Sequence, residues 1–176
     1  MNRRASHERA PAVSLRRYTR GGWQPSAREL RGWVQQALGR RGAGRELGVL
    51  LVGPARSRTL NALWRGRDRA TNVLSFPASE AARAAGLLGD LVICPALLRA
   101  EAHAQRKSAR AHWAHLVVHG ALHLLGYDHE RVRDARRMER REILVLRRLG
   151  LGNPYTWRKR TQAARRDAGA RGSRAR

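Results

Sequence analysis

Apolar residues recur at helical three- and four-residue intervals along several stretches of the chain, and short unbroken apolar runs lie between them. Val13 to Tyr18 reads as a first strand. Ser26-Ala-Arg-Glu29 is a capping box. It opens a helix whose stripe is Leu30, Val34 and Leu38, with Trp33 adjoining, and Gly39 to Gly44 ends it. Leu47 to Val52, bounded by Gly53-Pro54, reads as a buried strand. Leu60 to Arg65 predicts a short helix running into the loop Gly66 to Ala70. Thr71 to Phe76, stopped by Pro77, and Leu88 to Cys94 predict two more strands, and the Ala-rich Ala78 to Gly86 between them is a loop or a short helix. Pro95 suits the first position of a helix from Ala96 to Gln105. Ser108 suits the N-cap of a long helix reaching Leu125. Arg131 to Leu149 predicts a last amphipathic helix, with Val132, Met138, Ile143, Leu146 and Leu149 toward the core and Gly150 and Gly152 ending it. Alternating strands and helices predict one α+β domain over residues 12–155, a small mixed sheet packed with helices. A basic flexible arm over 1–11 and a basic, disordered tail over 156–176 are expected to flank it.

Composition narrows the function classes. The 176 residues are 42% hydrophobic, enough for a real core. No apolar run approaches the roughly 20 residues of a membrane span, and the N-terminus lacks an apolar signal core, although its arginines and scarcity of acids are also those of transit peptides. Cys94 is the single cysteine, so no internal disulfide forms, which fits a reducing cytoplasm. A net charge of +24 points to a negatively charged partner, nucleic acid foremost. Only Lys107 and Lys159 are lysines; so strong an arginine bias also arises from a GC-rich genome, and the charge acts whatever its origin. The helix over 131–149 carries eight arginines against three acids, a solvated face or an RNA contact.

One block carries the chemistry: His115-Leu-Val-Val-His119-Gly-Ala-Leu-His123-Leu-Leu-Gly126-Tyr-Asp-His129. His119 and His123, four apart, share one helical face a turn apart. Gly126 ends the helix and lets the chain turn back, and His129 follows three residues later. Two ligands from a helix and one from beyond a turn make a three-histidine site with a fourth position open, the arrangement of a catalytic zinc. The spacing matches the peptidase pattern H-E-x-x-H-x-x-G-x-x-H at every position but one. Gly120 stands where the general-base Glu belongs, so a zincin-like metal helix is predicted for a different chemistry.

Four blocks together resemble the YbeY family of bacterial rRNA-maturation endoribonucleases. They are Leu60-Asn61-x-x-Trp64-Arg65-Gly66-x-Asp68-x-x-Thr71-Asn-Val-Leu-Ser-Phe-Pro77, Leu88-Gly-Asp90-Leu-Val-Ile, the histidine block, and Met138-Glu-x-x-Glu142-x-x-x-Leu-x-x-Leu-Gly150. The resemblance spans about residues 46–155. Trp64 departs from the usual Tyr, and the basic tail has no family counterpart. The resemblance implies a single-domain α+β fold and one Zn2+ per chain on His119, His123 and His129. It implies a single-strand-specific endoribonuclease acting in 16S rRNA 3′-end maturation and small-subunit quality control, in the cytoplasm. The expected partners are single-stranded rRNA and the small ribosomal subunit, with no membrane and no DNA. The family's functional arginine falls on Arg65, whose guanidinium can grip two phosphate oxygens in a fork.

Other residues keep two readings. His115, one turn before His119, is a fourth ligand or a partner that supports the ligands, the second being favoured because three ligands and a water suffice. Asp128 orients an imidazole or caps the turn after Gly126. His103 and His112 are expected at the surface, and Trp33 and Trp113 in packing. Asn72, Ser75, Asp68 and Asp90 serve as site groups or as turn and strand-end hydrogen-bonding residues. The rival functions are a ribosome-assembly factor with structural zinc and, less favoured, a zinc peptidase.

Overall fold

Strand pairing sets the frame. In the computed structural model, which describes residues 10–156, four strands form one sheet in the order β1-β2-β4-β3. β1 (Ala12–Arg17) and β4 (Leu87–Ile93) lie parallel to β2 (Glu46–Leu51), and β3 (Val73–Pro77) runs antiparallel to β4 at the edge. Around the sheet are α1 (Ala27–Leu38), a 3-10 turn (Gly39–Gly42), α2 (Pro54–Arg65), α3 (Glu80–Ala84), α4 (Pro95–Ala104), α5 (Ala109–Leu124) and α6 (Val132–Arg148). This is the mixed-sheet α+β domain expected from the pattern. The arm expected over 1–11 and the tail over 156–176 fall, but for residues 10, 11 and 156, outside the described residues.

The alternation of each strand assigns its two faces. Leu47, Val49 and Leu51 of β2 and Leu91 and Ile93 of β4 enter the main core with α1, α5 and α6. Val52, Leu74 and Val92 form a smaller cluster on the opposite face, closed by Leu60 of α2. α5 is buried almost all round, because Leu, Val and Ala occupy three of its sides. Its one partly open stripe runs through residues 111, 115, 119 and 123, so the histidines stand on the only side that neighbours leave uncovered.

Local signals explain most boundaries. Ser26 and Glu29 form the reciprocal capping box of α1, and Ser108 Oγ accepts from the Ala111 N–H at the head of α5. α2 begins six residues earlier than its apolar run suggests. Pro54 takes its first position, where the missing N–H costs nothing, so Gly53-Pro54 both ends β2 and starts the helix. Val132 is 69% exposed, contrary to expectation, because the buried stripe of α6 is Met138, Glu142, Val145 and Leu146.

His112 is a second correction. It is not at the surface but 5% exposed, with Nε2 2.9 Å from Glu101 Oε2. The Asn72 amide donates to both oxygens of the same carboxylate, at 3.0 and 2.9 Å. Burial opposes ionisation of Glu101, but these hydrogen bonds from His112 and Asn72 hold its carboxyl below the ordinary range. His103 is exposed, and Trp33 and Trp113 are core residues.

Gly89 sits at a shift of register, where Glu46 pairs with Leu87 but Leu47 with Gly89. Its φ is +131°, and a Cβ there would collide with the Phe76 carbonyl oxygen on β3. Gly89→Ala is therefore expected to destabilise by about 2–3 kcal/mol. Gly32→Ala, in α1 with open space around the position, should stabilise by about 0.5–1 kcal/mol. Denaturant unfolding of the two variants reads the opposite signs.

Candidate metal centre

The histidines are brought together by the end of α5. The Tyr127 N–H donates to Leu122 O at 3.0 Å and the Gly126 N–H to His123 O at 2.9 Å, with Gly126 at φ +86°, the left-handed reversal that glycine adopts without a steric cost. Asp128 then accepts from the N–H groups of His129 (2.6 Å) and Glu130 (3.3 Å). Its carboxylate caps the turn, the second of its two readings. The returning His129 ring stacks on His119 at 5.7 Å and meets His123 edge-on at 4.9 Å.

One nitrogen from each of the three rings lies within 4.8 Å of the others, the one such cluster among the described residues. Nε2 of His119 and Nε2 of His123 are 3.2 Å apart. Imidazoles that share a tetrahedral ion at about 2.0–2.1 Å stand about that far from one another. Burial, then the neighbouring His119 and His129, push the His123 imidazole down to about 4. It is neutral at ordinary pH, as a ligand must be. The donor set and its spacing fit a metal ion.

Behind the cluster lies a residue whose role the sequence did not reveal. Glu142 of α6 is fully buried. His119 Nδ1 is 2.8 Å from its Oε1, His115 Nε2 is 3.1 Å from its Oε2, and the Tyr155 hydroxyl donates to Oε2. Burial works against its charge, but the hydrogen bonds from His115 and His119 prevail and hold the carboxyl at about 2. Glu142 is thus an anion and its partners are donors. His115 spends Nε2 on this contact and stands outside the three-nitrogen cluster. One signal was available: a Glu on the apolar stripe of α6, four residues after Met138 and four before Leu146.

In front of the cluster is a cleft of about 620 Å3. His119, His123 and His129 line it together with Arg65, Arg67 and Asn61. Arg65 ends α2, and the loop after it is tied back onto that helix. Asn61 Nδ2 donates to Arg69 O at 2.8 Å, and Ser57 Oγ donates to Thr71 O at 2.7 Å. Arg58 grips Asp68 through two contacts of 2.7 and 2.6 Å. Asn61 and Asp68 of the motif thus hold the loop. Trp64 is 64% exposed and meets Phe76 edge-on at 5.8 Å.

Residues 22–150 match the family described as Endoribonuclease YbeY. The chain belongs to the YbeY family. It is 47% identical over 139 residues to the Endoribonuclease YbeY of Halorhodospira halophila, covering 77% of this chain and 90% of that one. It is 50% identical over 133 residues to that of Pseudomonas fluorescens, covering 74% and 88%. A Thermotoga maritima protein solved in solution shares the fold at TM-score 0.53 and 23% identity, covering 78% of this chain and 91% of that one. The resemblance read from the four motif blocks is borne out.

Packing accounts for Gly120. It faces the sheet rather than the cleft: a Cβ there would lie 2.7 Å from Leu91 Cδ2 and 3.3 Å from Ser75 Oγ, and Ser75 Oγ donates to Gly120 O at 3.4 Å. A peptidase-type Glu has no room. Gly120→Glu should cost more than about 4 kcal/mol, by overpacking and by burying a carboxylate without a partner. Thermal melting followed by circular dichroism checks this.

Proposed function

We propose that this YbeY-family chain is a zinc-dependent endoribonuclease of the cytoplasm. Its proposed substrate is single-stranded rRNA of the small ribosomal subunit, in 16S 3′-end maturation and quality control. The observation that carries the reading is the joint placement of three convergent imidazoles and the Arg65 guanidinium on one cleft, in a chain whose relatives are named Endoribonuclease YbeY.

His119, His123 and His129 hold the ion through the clustered nitrogens, and Nε2 of His119 and His123 face each other. Zinc, when bound, supplies a Lewis acid for the charge that gathers on the phosphate and lowers the pKa of water to about 7. Arg65 grips two non-bridging oxygens in a fork and holds the phosphodiester in front of the imidazoles. Arg67, which lines the same cleft, adds positive charge along the backbone's path. A cleft of about 620 Å3 is of the size that takes one small ligand. The net charge of +24 favours approach of a polyanion and makes binding salt-dependent. No helix among the described residues is long and apolar enough to cross a membrane.

The test is cleavage of a single-stranded rRNA 3′ fragment by zinc-loaded full-length protein, against the same fragment annealed to its complement. The expected result is cutting of the single strand alone. Arg65→Ala should lower the rate by about 100-fold or more with zinc content unchanged, and His119→Ala should lose the bound zinc. Fully zinc-loaded protein that leaves every single-stranded RNA intact overturns the proposal.

A further inference from the structure

The residue that the proposed reaction does not use is Glu142. A carboxylate removed from water is retained as an anion only where it is paired and hydrogen-bonded. Two separate segments bring three donors to this one: His115 and His119 from α5, and Tyr155 from the turn after α6. That turn is itself built for the purpose. Asn153 Oδ1 accepts from the Tyr155 N–H at 2.9 Å, and Lys107 Nζ donates to Pro154 O at 3.1 Å, fastening the turn to the loop between α4 and α5. Tyr155 also packs edge-on against His115, at 5.4 Å.

We infer that Glu142 is the positioning residue of the metal centre: its Oε1 takes the Nδ1–H of His119 and so presents His119 Nε2, bare and correctly aimed, to the ion. The inference rests on the three-histidine reading above. An imidazole has two nitrogens, and which one is free for a metal is decided by the hydrogen bond the other makes. With Nδ1–H committed to Glu142 at 2.8 Å, His119 Nε2 is an acceptor. It stands 3.2 Å from His123 Nε2, and the same bond fixes the plane of its ring. His115 and Tyr155 act on Oε2 and hold the carboxylate from the far side. His115 is therefore a support of Glu142 and not a fourth ligand, which leaves the open position of the centre to the substrate side.

The test uses full-length protein with zinc as the probe and two readouts that need no RNA. In metal-free wild type, imidazole 15N shifts should show His119 protonated at Nδ1. In a chelator competition, Glu142→Gln should bind zinc 10- to 100-fold more weakly than wild type, about the loss expected when a ligand's outer partner is removed. The amide offers one acceptor oxygen where the carboxylate offered two. Tyr155→Phe, which leaves the His119 contact in place, should fall between wild type and Glu142→Gln. His119 protonated at Nε2 in wild type overturns the inference, as does Glu142→Gln with unchanged zinc affinity. If Glu142→Gln does not fold, the wild-type tautomer and Tyr155→Phe still decide. Wild type that takes up no zinc overturns the three-histidine reading instead, a result distinct from wild type and variant binding alike.

Discussion

The burial of α5 is the constraint on which the rest of the molecule depends. The helix is enclosed by α1, α6 and the β3–β4 side of the sheet, so a polar side chain on it lies on its single open stripe unless, like His112, it has a partner in the interior. That stripe repeats every fourth residue, and three histidines occupy it. Placing two imidazoles a turn apart on the rigid, buried centre of a domain pre-sets their spacing at no further conformational cost. The third is added by the shortest available device, a glycine reversal and an Asp-capped turn. The close approach of α5 to Leu91 and Ser75 requires Gly120. The same packing that builds the histidine-bearing helix therefore removes the residue a peptidase would need.

Much of this was legible in the sequence because it is local. Ser26, Ser108 and Pro95 marked helix starts, Gly126 marked the reversal, and the i, i+4 histidines marked a shared face, all within a few residues of where the structure uses them. What was hidden depends on contacts between elements. His112 looks like a surface residue until α4 brings Glu101 against it. Val132 fits the apolar period of α6 but lies before the point where that helix meets the core. Glu142 was counted among the acids of a solvated face. The structure instead sets it under His119, 23 residues earlier in the chain, and gives it Tyr155 as a further donor. No helical period predicts that a charged residue on an apolar stripe has three partners from two other segments.

The motif residues divide by what they do. Asn61 and Asp68 hold the loop behind Arg65, Gly89 lets β4 pass close to β3, and Asn72 and Ser75 tie β3 to Glu101 and α5. These residues form the scaffold, and the cleft they support is lined by the three imidazoles and two arginines together with Asp128 and Glu130. The proposed metal and a guanidinium lining one cleft would suit a phosphodiester, whose charge grows as it is cleaved. The arginine-rich surface acts at longer range, on the approach of the polyanion.

The central claim is that three histidines of this chain hold one ion and leave a position open toward Arg65. X-ray absorption of the zinc-loaded full-length protein measures it directly. The account predicts three imidazole nitrogens at about 2.0–2.1 Å and a light oxygen scatterer in the fourth position. A closed shell of four protein ligands, with His115 or a carboxylate completing it, would contradict it.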